Sequence, residues 1–122
     1  MTSLSVIDAN VILRYLIGDG GDLALRAREI IESGEAYAYP EVLAEVVYVL
    51  SGVYEVPRLQ ISLAFRKLAQ FMSFYDYDML LCAFNFYELS TMDFVDCLLV
   101  ARSLILKENV VSFDKQVMRY AM

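Results

Sequence analysis

Alternating strand and helix patterns along the 122 residues predict an α/β fold, specifically a three-layer α/β/α sandwich with a short central parallel sheet. Short β-branched or aromatic segments recur along the chain, and stretches with helical apolar spacing separate them. Turn residues lie at the ends of most of these segments. The chain is too short for two ordinary domains, so residues 1–122 are expected to form a single domain.

Turn and capping residues set the limits of the predicted helices. The glycine-rich turn at 18–22 ends the first helix, and Ser33 with Gly34 ends the second. Pro40 suits the first position of the third helix. The predicted elements in chain order are strand 4–7, a helix from residue 11 to the turn at 18–22, helix 23–33, strand 36–39, helix 40–50, helix 58–72, strand 73–77, helix 79–89, helix 93–107, strand 110–113 and helix 115–120.

The four predicted strands are short. Residues 4–7 are apolar and are predicted to form a buried strand, whereas 36–39 alternate alanine with tyrosine. Residues 73–77 alternate weakly, and 110–113 read Val-Val-Ser-Phe. Because strands alternate with helices, the sheet is expected to be parallel and covered on both faces.

The composition excludes several classes of function. The chain has no histidine, so it contains no histidine-based acid or base, no Ser-His-Asp triad and no histidine-ligated zinc. A net charge of −6 argues against a broad basic surface for nucleic acid, but it is compatible with an enzyme whose metal ions contact phosphate. The apolar fraction of 59% exceeds the need of one small core and predicts a surface that faces a partner.

The same composition indicates a cytoplasmic protein. No apolar run is long enough to span a bilayer, and the N-terminal residues do not resemble a signal peptide. Cys82 and Cys97 form no recognisable disulfide framework and are expected to be buried, reduced thiols.

Four acidic residues from distant parts of the chain are predicted to converge. Asp8 and Asp114 each follow a predicted strand, and Glu45 lies on the helix after the second strand. Asp96 lies in the first turn of the helix over 93–107, with Asp93 on the same side. Right-handed crossovers bring such strand-to-helix turns to one edge of the sheet, where ligands bind in open α/β folds.

Each of these acids also has a purely structural interpretation, which for Asp114 is that of a common turn residue after a strand. Asp8 could be a helix N-cap, and Glu45 could extend from the margin of a buried stripe into water. Asp93 and Asp96 could cap a helix and interact favourably with its dipole. The catalytic interpretation therefore depends on the acids acting together.

Clustered carboxylates point to a hard divalent cation. Two such groups about 4 Å apart repel by roughly 4 kcal/mol at an effective dielectric constant of about 20. A cluster remains ionised only if a cation occupies it, and oxygen ligands without His or Cys favour Mg²⁺ or Mn²⁺. Because Mg²⁺ completes its coordination with water and phosphate oxygens, the predicted reaction is metal-assisted hydrolysis of a phosphodiester.

Four segments carry a resemblance to a known family. Residues 6–14, 43–50, 93–101 and 111–115 resemble, in order and spacing, the four acidic motifs of PIN-domain ribonucleases, with the greatest likeness to VapC-type toxins of toxin–antitoxin pairs. The resemblance implies a Mg²⁺- or Mn²⁺-dependent endoribonuclease that cleaves RNA. It assigns the acidic, metal-binding site to Asp8, Glu45, Asp96 and Asp114.

The resemblance also implies supporting residues and protein partners. Asn10 and Ser112 match polar positions that support the acids, and Asp93 is a possible additional acid. A homodimer and a cognate antitoxin are implied as well. Two alternatives remain at this stage: a PIN-like scaffold without activity, and a phosphohydrolase with Asp8 as nucleophile. The second normally requires another acid two residues later, where this chain has Asn10.

Overall fold

Three short parallel strands form the sheet of this protein, whose computed structural model describes residues 3–121. They are β1 (Ser5–Val6), β2 (Ala36–Ala38) and β3 (Ser73–Phe74). The strands lie in the order β1-β2-β3, with Val6 opposite Tyr37 and Ala38 opposite Phe74. The predicted α/β class and parallel pairing are confirmed, and each of the three strands is shorter than predicted.

Helices connect the strands and make up most of the described chain. Two of them lie between β1 and β2 and two between β2 and β3, as the sequence predicts. None of the helices in residues 3–121 has both the length and the hydropathy to cross a membrane. The helices are α1 (Ala9–Ile17), α2 (Asp22–Glu32), α3 (Pro40–Gly52), α4 (Arg58–Leu68), α5 (Tyr77–Leu89), α6 (Phe94–Leu106) and α7 (Lys115–Tyr120).

The described chain divides into two compact units, the first ending at Tyr75 and the second beginning at Asp76. The first contains the sheet and α1 to α4, and its core includes Ile12 and Phe65. The second contains α5, α6 and α7, with α5 packed against α6 and α6 against α7. In its core the ring centroids of Phe84 and Phe94 lie 4.5 Å apart.

Local backbone geometry explains two boundaries that differ from the prediction. Asp76 adopts a left-handed conformation with φ 54°, which ends β3 early and lets α5 begin at Tyr77. α4 ends at Leu68, and residues 69–72 continue as turns whose amides donate to the carbonyls of residues 65, 67 and 68. Apolar spacing continues through this segment, so it could not reveal where the regular helix ends.

The prediction that the first strand is buried is wrong for most of its side chains. Leu4 and Val6 are 56% and 61% exposed, whereas Ile7 is buried. β1 lies at one edge of the sheet, and successive side chains of a strand point to opposite faces. An apolar run therefore does not show that both faces of a strand are covered.

The prediction of a fourth strand at 110–113 is also wrong, because this segment is irregular. Val111 is 79% exposed, and Phe113 is fully exposed. The Ser112 Oγ accepts a hydrogen bond from the Asp114 amide at 3.0 Å, which favours a local turn over an extended ladder. The β-propensity of valine and phenylalanine depends on packing against neighbouring strands. The exposed side chains of Val111 and Phe113 lack such packing.

Candidate acidic site

Asp8 is the N-cap of α1. Its backbone is extended, with φ −95° and ψ 179°, and its Oδ1 accepts a hydrogen bond from the Val11 amide at 3.1 Å. Asp8 thus has the structural role of a helix N-cap, which the sequence analysis gave as one of two interpretations. It leaves Oδ2 without a hydrogen-bond partner in the part of the chain that the structure describes, so the same exposed carboxylate can also bind a ligand.

Asn10 lies in the first turn of α1 and is exposed. It lines a cavity of about 280 Å³ together with Arg14 and Val49. The Arg14 Nη1 lies 3.8 Å from Oδ2 of Asp19, which makes an ion pair on the wall of the same cavity. Asn10, two residues after the Asp8 cap, therefore borders space that a polar ligand could enter.

Glu45 lies on α3 and is exposed. Val46 and Val47, the next residues along the helix, are buried. The Glu45 carboxylate therefore reaches water, which is the structural interpretation of this residue. Its charge is not buried, so it does not destabilise the fold. α3 packs against α1, the helix that Asp8 caps.

Asp93 and Asp96 lie at the start of α6. Asp93 occupies the N-cap position, with φ −60° and ψ 152°, but its side chain makes no capping hydrogen bond. The structural interpretation of Asp93 as a side-chain cap is therefore wrong, since its carboxylate does not accept from the helix. Asp96 lies in the first turn and is half-buried.

Asp114 is the N-cap of α7 and, unlike Asp93, uses its side chain. Its Oδ1 accepts hydrogen bonds from the amides of Gln116 at 2.8 Å and Val117 at 3.2 Å. Ser112 holds the backbone of the same turn through its bond from the Asp114 amide. This bond fixes the backbone of the turn that carries the Asp114 carboxylate.

Asp93, Asp96 and Asp114 form an acidic trio within the second unit. Partial burial raises the pKa of Asp96 above its ordinary value, and the charges of Asp114 and then Asp93 raise it further. Each cause disfavours the ionised form of Asp96. The charges of Asp93 and Asp114 therefore act on Asp96 within the second unit, and a bound cation would offset them.

The donors of the acidic trio suit Mg²⁺ or Mn²⁺ but do not form a complete metal site. All are carboxylates, the hard oxygen ligands that these ions favour. In residues 3–121, no three Asp, Glu or Cys side chains are grouped so that they could hold a metal ion. Asp8 and Glu45 belong to the first unit, and their convergence with the trio stays a prediction.

An exposed aromatic group at the sheet escaped the sequence prediction. Of the nine tyrosines, all of which lie within the described residues 3–121, Tyr87 alone is buried. Tyr39 directly follows β2, and Tyr75 directly follows β3. Their ring centroids lie 5.6 Å apart. The available signal was an aromatic residue at the end of each of two neighbouring parallel strands.

Comparison with known proteins adds an independent finding. A family model of the PIN domain matches residues 5–121, which includes all of the candidate acidic residues. No curated protein and no solved structure matches the chain. PIN domains are typically nucleases, so the match indicates a nuclease fold.

Proposed function

We propose that this chain, which belongs to the PIN domain family, is a single-domain Mg²⁺- or Mn²⁺-dependent endoribonuclease. One observation carries the proposal: the family match extends over residues 5–121. The four segments in this range that resemble the acidic motifs of the family contain Asp8, Glu45, Asp96 and Asp114. The electrostatics of the second unit support it, because a half-buried acid beside two other carboxylates is the type of site that a divalent cation stabilises.

The four acids have distinct structural situations in this mechanism. Asp8, Glu45, Asp96 and Asp114 would be the carboxylates that hold the ion. When bound, the ion supplies Lewis-acid stabilisation of the charge that develops on the phosphate oxygens. The capping bonds of Asp8 and Asp114 fix the directions of their carboxylates before substrate arrives, so little reorganisation is needed.

Asn10 and Ser112 would act as supporting residues. Asn10 presents a side-chain amide in the first turn after Asp8, where it can orient a water or a phosphate oxygen. Ser112 holds the turn that carries Asp114. Asp93, whose carboxylate is not used for capping, is available as an additional acid beside Asp96.

The proposed biological role is that of the toxin in a cytoplasmic toxin–antitoxin pair. The family resemblance implies it, and the free thiols of Cys82 and Cys97 are compatible with a reducing compartment. Exposed apolar side chains such as Leu59 and Leu63 on α4 are compatible with a homodimer or an antitoxin interface. Light scattering of the purified protein tests the dimer, and co-purification with the product of an adjacent gene tests the antitoxin.

The function is tested by incubating the purified protein with mixed cellular RNA, with and without Mg²⁺, and sequencing the new ends. We expect Mg²⁺-dependent internal cleavage by the wild type and none by Asp8→Asn, because asparagine retains the cap but removes the charge. Undiminished cleavage by Asp8→Asn would contradict the assignment. Complete inactivity of the wild type on every RNA would favour the scaffold alternative.

The chemistry of the products gives a second test. Hydrolysis by an activated water does not use the 2′-hydroxyl of RNA as the nucleophile, so the products should carry 5′-phosphate and 3′-hydroxyl ends. Ligation that requires a 5′-phosphate, before and after treatment with a kinase, distinguishes these ends. Products with 2′,3′-cyclic phosphates would rule out the proposed route.

A further inference from the structure

Two exposed tyrosines lie at the carboxyl edge of the sheet, level with Asp8. The Ile7 amide donates to the Tyr37 carbonyl at 2.9 Å, and the Tyr75 amide donates to the Ala38 carbonyl at 3.0 Å. These bonds continue the parallel register of β1, β2 and β3 by one residue. Asp8, Tyr39 and Tyr75 therefore follow the ends of three neighbouring strands at the same level.

The two rings form a partly exposed surface, which we call the tyrosine platform, consisting of Tyr39 and Tyr75. Tyr39 is 38% exposed and Tyr75 is 50% exposed. Their planes are tilted by 41°, so they do not stack fully on each other, and part of each ring remains available to a ligand. The platform lies entirely within the first unit, on the chain segment that ends at Tyr75.

A third tyrosine restrains the platform. The ring of Tyr37 meets that of Tyr39 edge to face, with centroids 5.4 Å apart and planes at 83°. Edge-to-face contact is a favoured aromatic geometry. The backbone of Tyr39 is restrained as well, because its carbonyl accepts hydrogen bonds from the amides of Val42 and Leu43 at the start of α3. The ring of Tyr39 is thus largely ordered before any ligand binds.

The chemistry of this surface suits an unpaired nucleobase. Aromatic side chains bind single-stranded nucleic acid by stacking on bases, which tolerates sequence because every base has a π face. Neighbouring strands lie about 4.8 Å apart, so Tyr39 is one strand away from the carboxylate proposed to act on the phosphodiester. The carboxyl edge of a parallel sheet is also where ligands bind in open α/β folds.

We propose that Tyr39 and Tyr75 stack against a base of single-stranded RNA next to the phosphodiester that is cleaved. This inference rests on the proposed function for the identity of the substrate, and it deepens that function by naming the side chains that hold a base of the substrate. A base held in a duplex is stacked on its neighbours and cannot present its face to the platform. The platform is therefore a substrate-binding surface that orients the strand at Asp8.

The test measures cleavage and binding of one labelled single-stranded RNA by a series of variants. Tyr39→Ala should raise KM about five- to a hundredfold and change kcat little, since stacking on one side chain contributes that much to binding. Tyr39→Phe should behave as the wild type, whereas Tyr39→Leu should resemble the alanine variant although it remains apolar. Tyr75→Ala should show a smaller effect in the same direction.

Tyr48→Ala provides the matched control. Tyr48 is a 77% exposed tyrosine of the same unit and is the ninth residue of α3, so it does not follow a strand end and its removal should leave KM unchanged. A duplex of the same sequence should be a poor substrate for the wild type. Circular dichroism melts should show that all variants fold as the wild type does.

The possible failures are distinguishable. If the wild type does not cleave RNA, the proposed function fails, and fluorescence anisotropy with the same RNA still tests the platform by the order of binding among the Tyr39 variants. The platform is overturned if Tyr39→Ala binds single-stranded RNA as the wild type does, if Tyr39→Leu equals Tyr39→Phe, or if Tyr48→Ala loses binding equally. It is also overturned if the tyrosine variants change only the oligomeric state, because the surface would then bind protein.

Discussion

The carboxylates at the two ends of α6 lie in opposite electrostatic environments. At the N-terminal end, partial burial and two neighbouring carboxylates raise the pKa of Asp96. At the C-terminal end, Glu108 accepts two hydrogen bonds from Arg102, at 2.7 Å from Nε and 2.6 Å from Nη2. The hydrogen bond from Arg102 lowers the pKa of Glu108. One end of the helix thus gathers like charges, and the other pairs opposite charges.

This contrast separates a structural carboxylate from a candidate functional one. The pair of Arg102 and Glu108 is complete within the chain, and it forms where Lys107 ends α6 in a left-handed conformation. Within residues 3–121 Asp96 forms no such ion pair, and burial and the neighbouring carboxylates disfavour its charge at the start of the helix. Perturbed acids of this kind occur preferentially at functional sites. The three predictions below test this difference, from the largest expected effect to the smallest.

The largest effect is expected on catalysis. Asp96→Asn should reduce RNA cleavage in Mg²⁺ by about a hundredfold or more, because metal stabilisation of the transition state contributes several kcal/mol and each 1.36 kcal/mol is a factor of ten. Rates on one labelled RNA provide the measurement. Asp78→Asn removes another acid from the first turn of a helix in the same unit, and Glu108→Gln removes the structural acid. Both controls should cleave at nearly the wild-type rate, and equal losses in all three would remove the distinction.

An intermediate effect is expected on stability from the two N-caps of the second unit. Asp114→Ala should lower the free energy of unfolding by about 1 kcal/mol, since its carboxylate accepts from two helix amides. Asp93→Ala should lower the free energy of unfolding by clearly less, because the Asp93 side chain makes no capping hydrogen bond. Urea denaturation without divalent ions compares the two variants. A larger loss for Asp93→Ala than for Asp114→Ala would show that the assigned caps are wrong.

The smallest effect is expected on the pH dependence of stability. Asp96 and Glu108, at the two ends of α6, should contribute to it with opposite signs. Because the folded-state pKa of Glu108 is lowered, its contribution to stability is present above the ordinary carboxyl value and is lost as the pH falls through the folded pKa. Because the folded-state pKa of Asp96 is raised, ionisation of Asp96 reduces stability as the pH rises from 3.8 through the folded pKa.

Melting temperatures in EDTA measure this difference. At neutral pH, Glu108→Gln should melt below the wild type and Asp96→Asn above it, and both differences should shrink in acid once the carboxyls are protonated in both states. The Arg102 pair is exposed to solvent and screened by salt, so the shifts should be small. Shifts of the same sign at neutral pH would contradict the contrast between the two ends.

Much of the fold was predictable because its signals are local. Pro40 marks the start of α3, and α7 begins and ends at the predicted residues, Lys115 and Tyr120. The segment 110–113 was not predictable, since whether valine and phenylalanine form a strand depends on a neighbouring strand. The left-handed conformation of Asp76 likewise leaves no clear pattern in the sequence.

The sequence names candidate acids for the site but does not give the geometry of their side chains. Acids that follow strands or begin helices identify Asp8, Asp96 and Asp114, but sequence cannot tell that Asp114 accepts capping bonds while Asp93 does not. That difference depends on the direction of each side chain at the helix start. The tyrosine platform was missed because Tyr39 and Tyr75 are distant in the chain and become neighbours only through the strand register.

The most direct test of the acidic site is calorimetric titration of the purified protein with Mn²⁺ at neutral pH. The wild type should bind the ion saturably, Asp8→Asn and Asp96→Asn should lose most of the affinity, and Glu108→Gln should bind as the wild type does. Saturable binding that survives in both aspartate variants, or its absence in the wild type, would contradict the claim that these carboxylates hold the divalent ion.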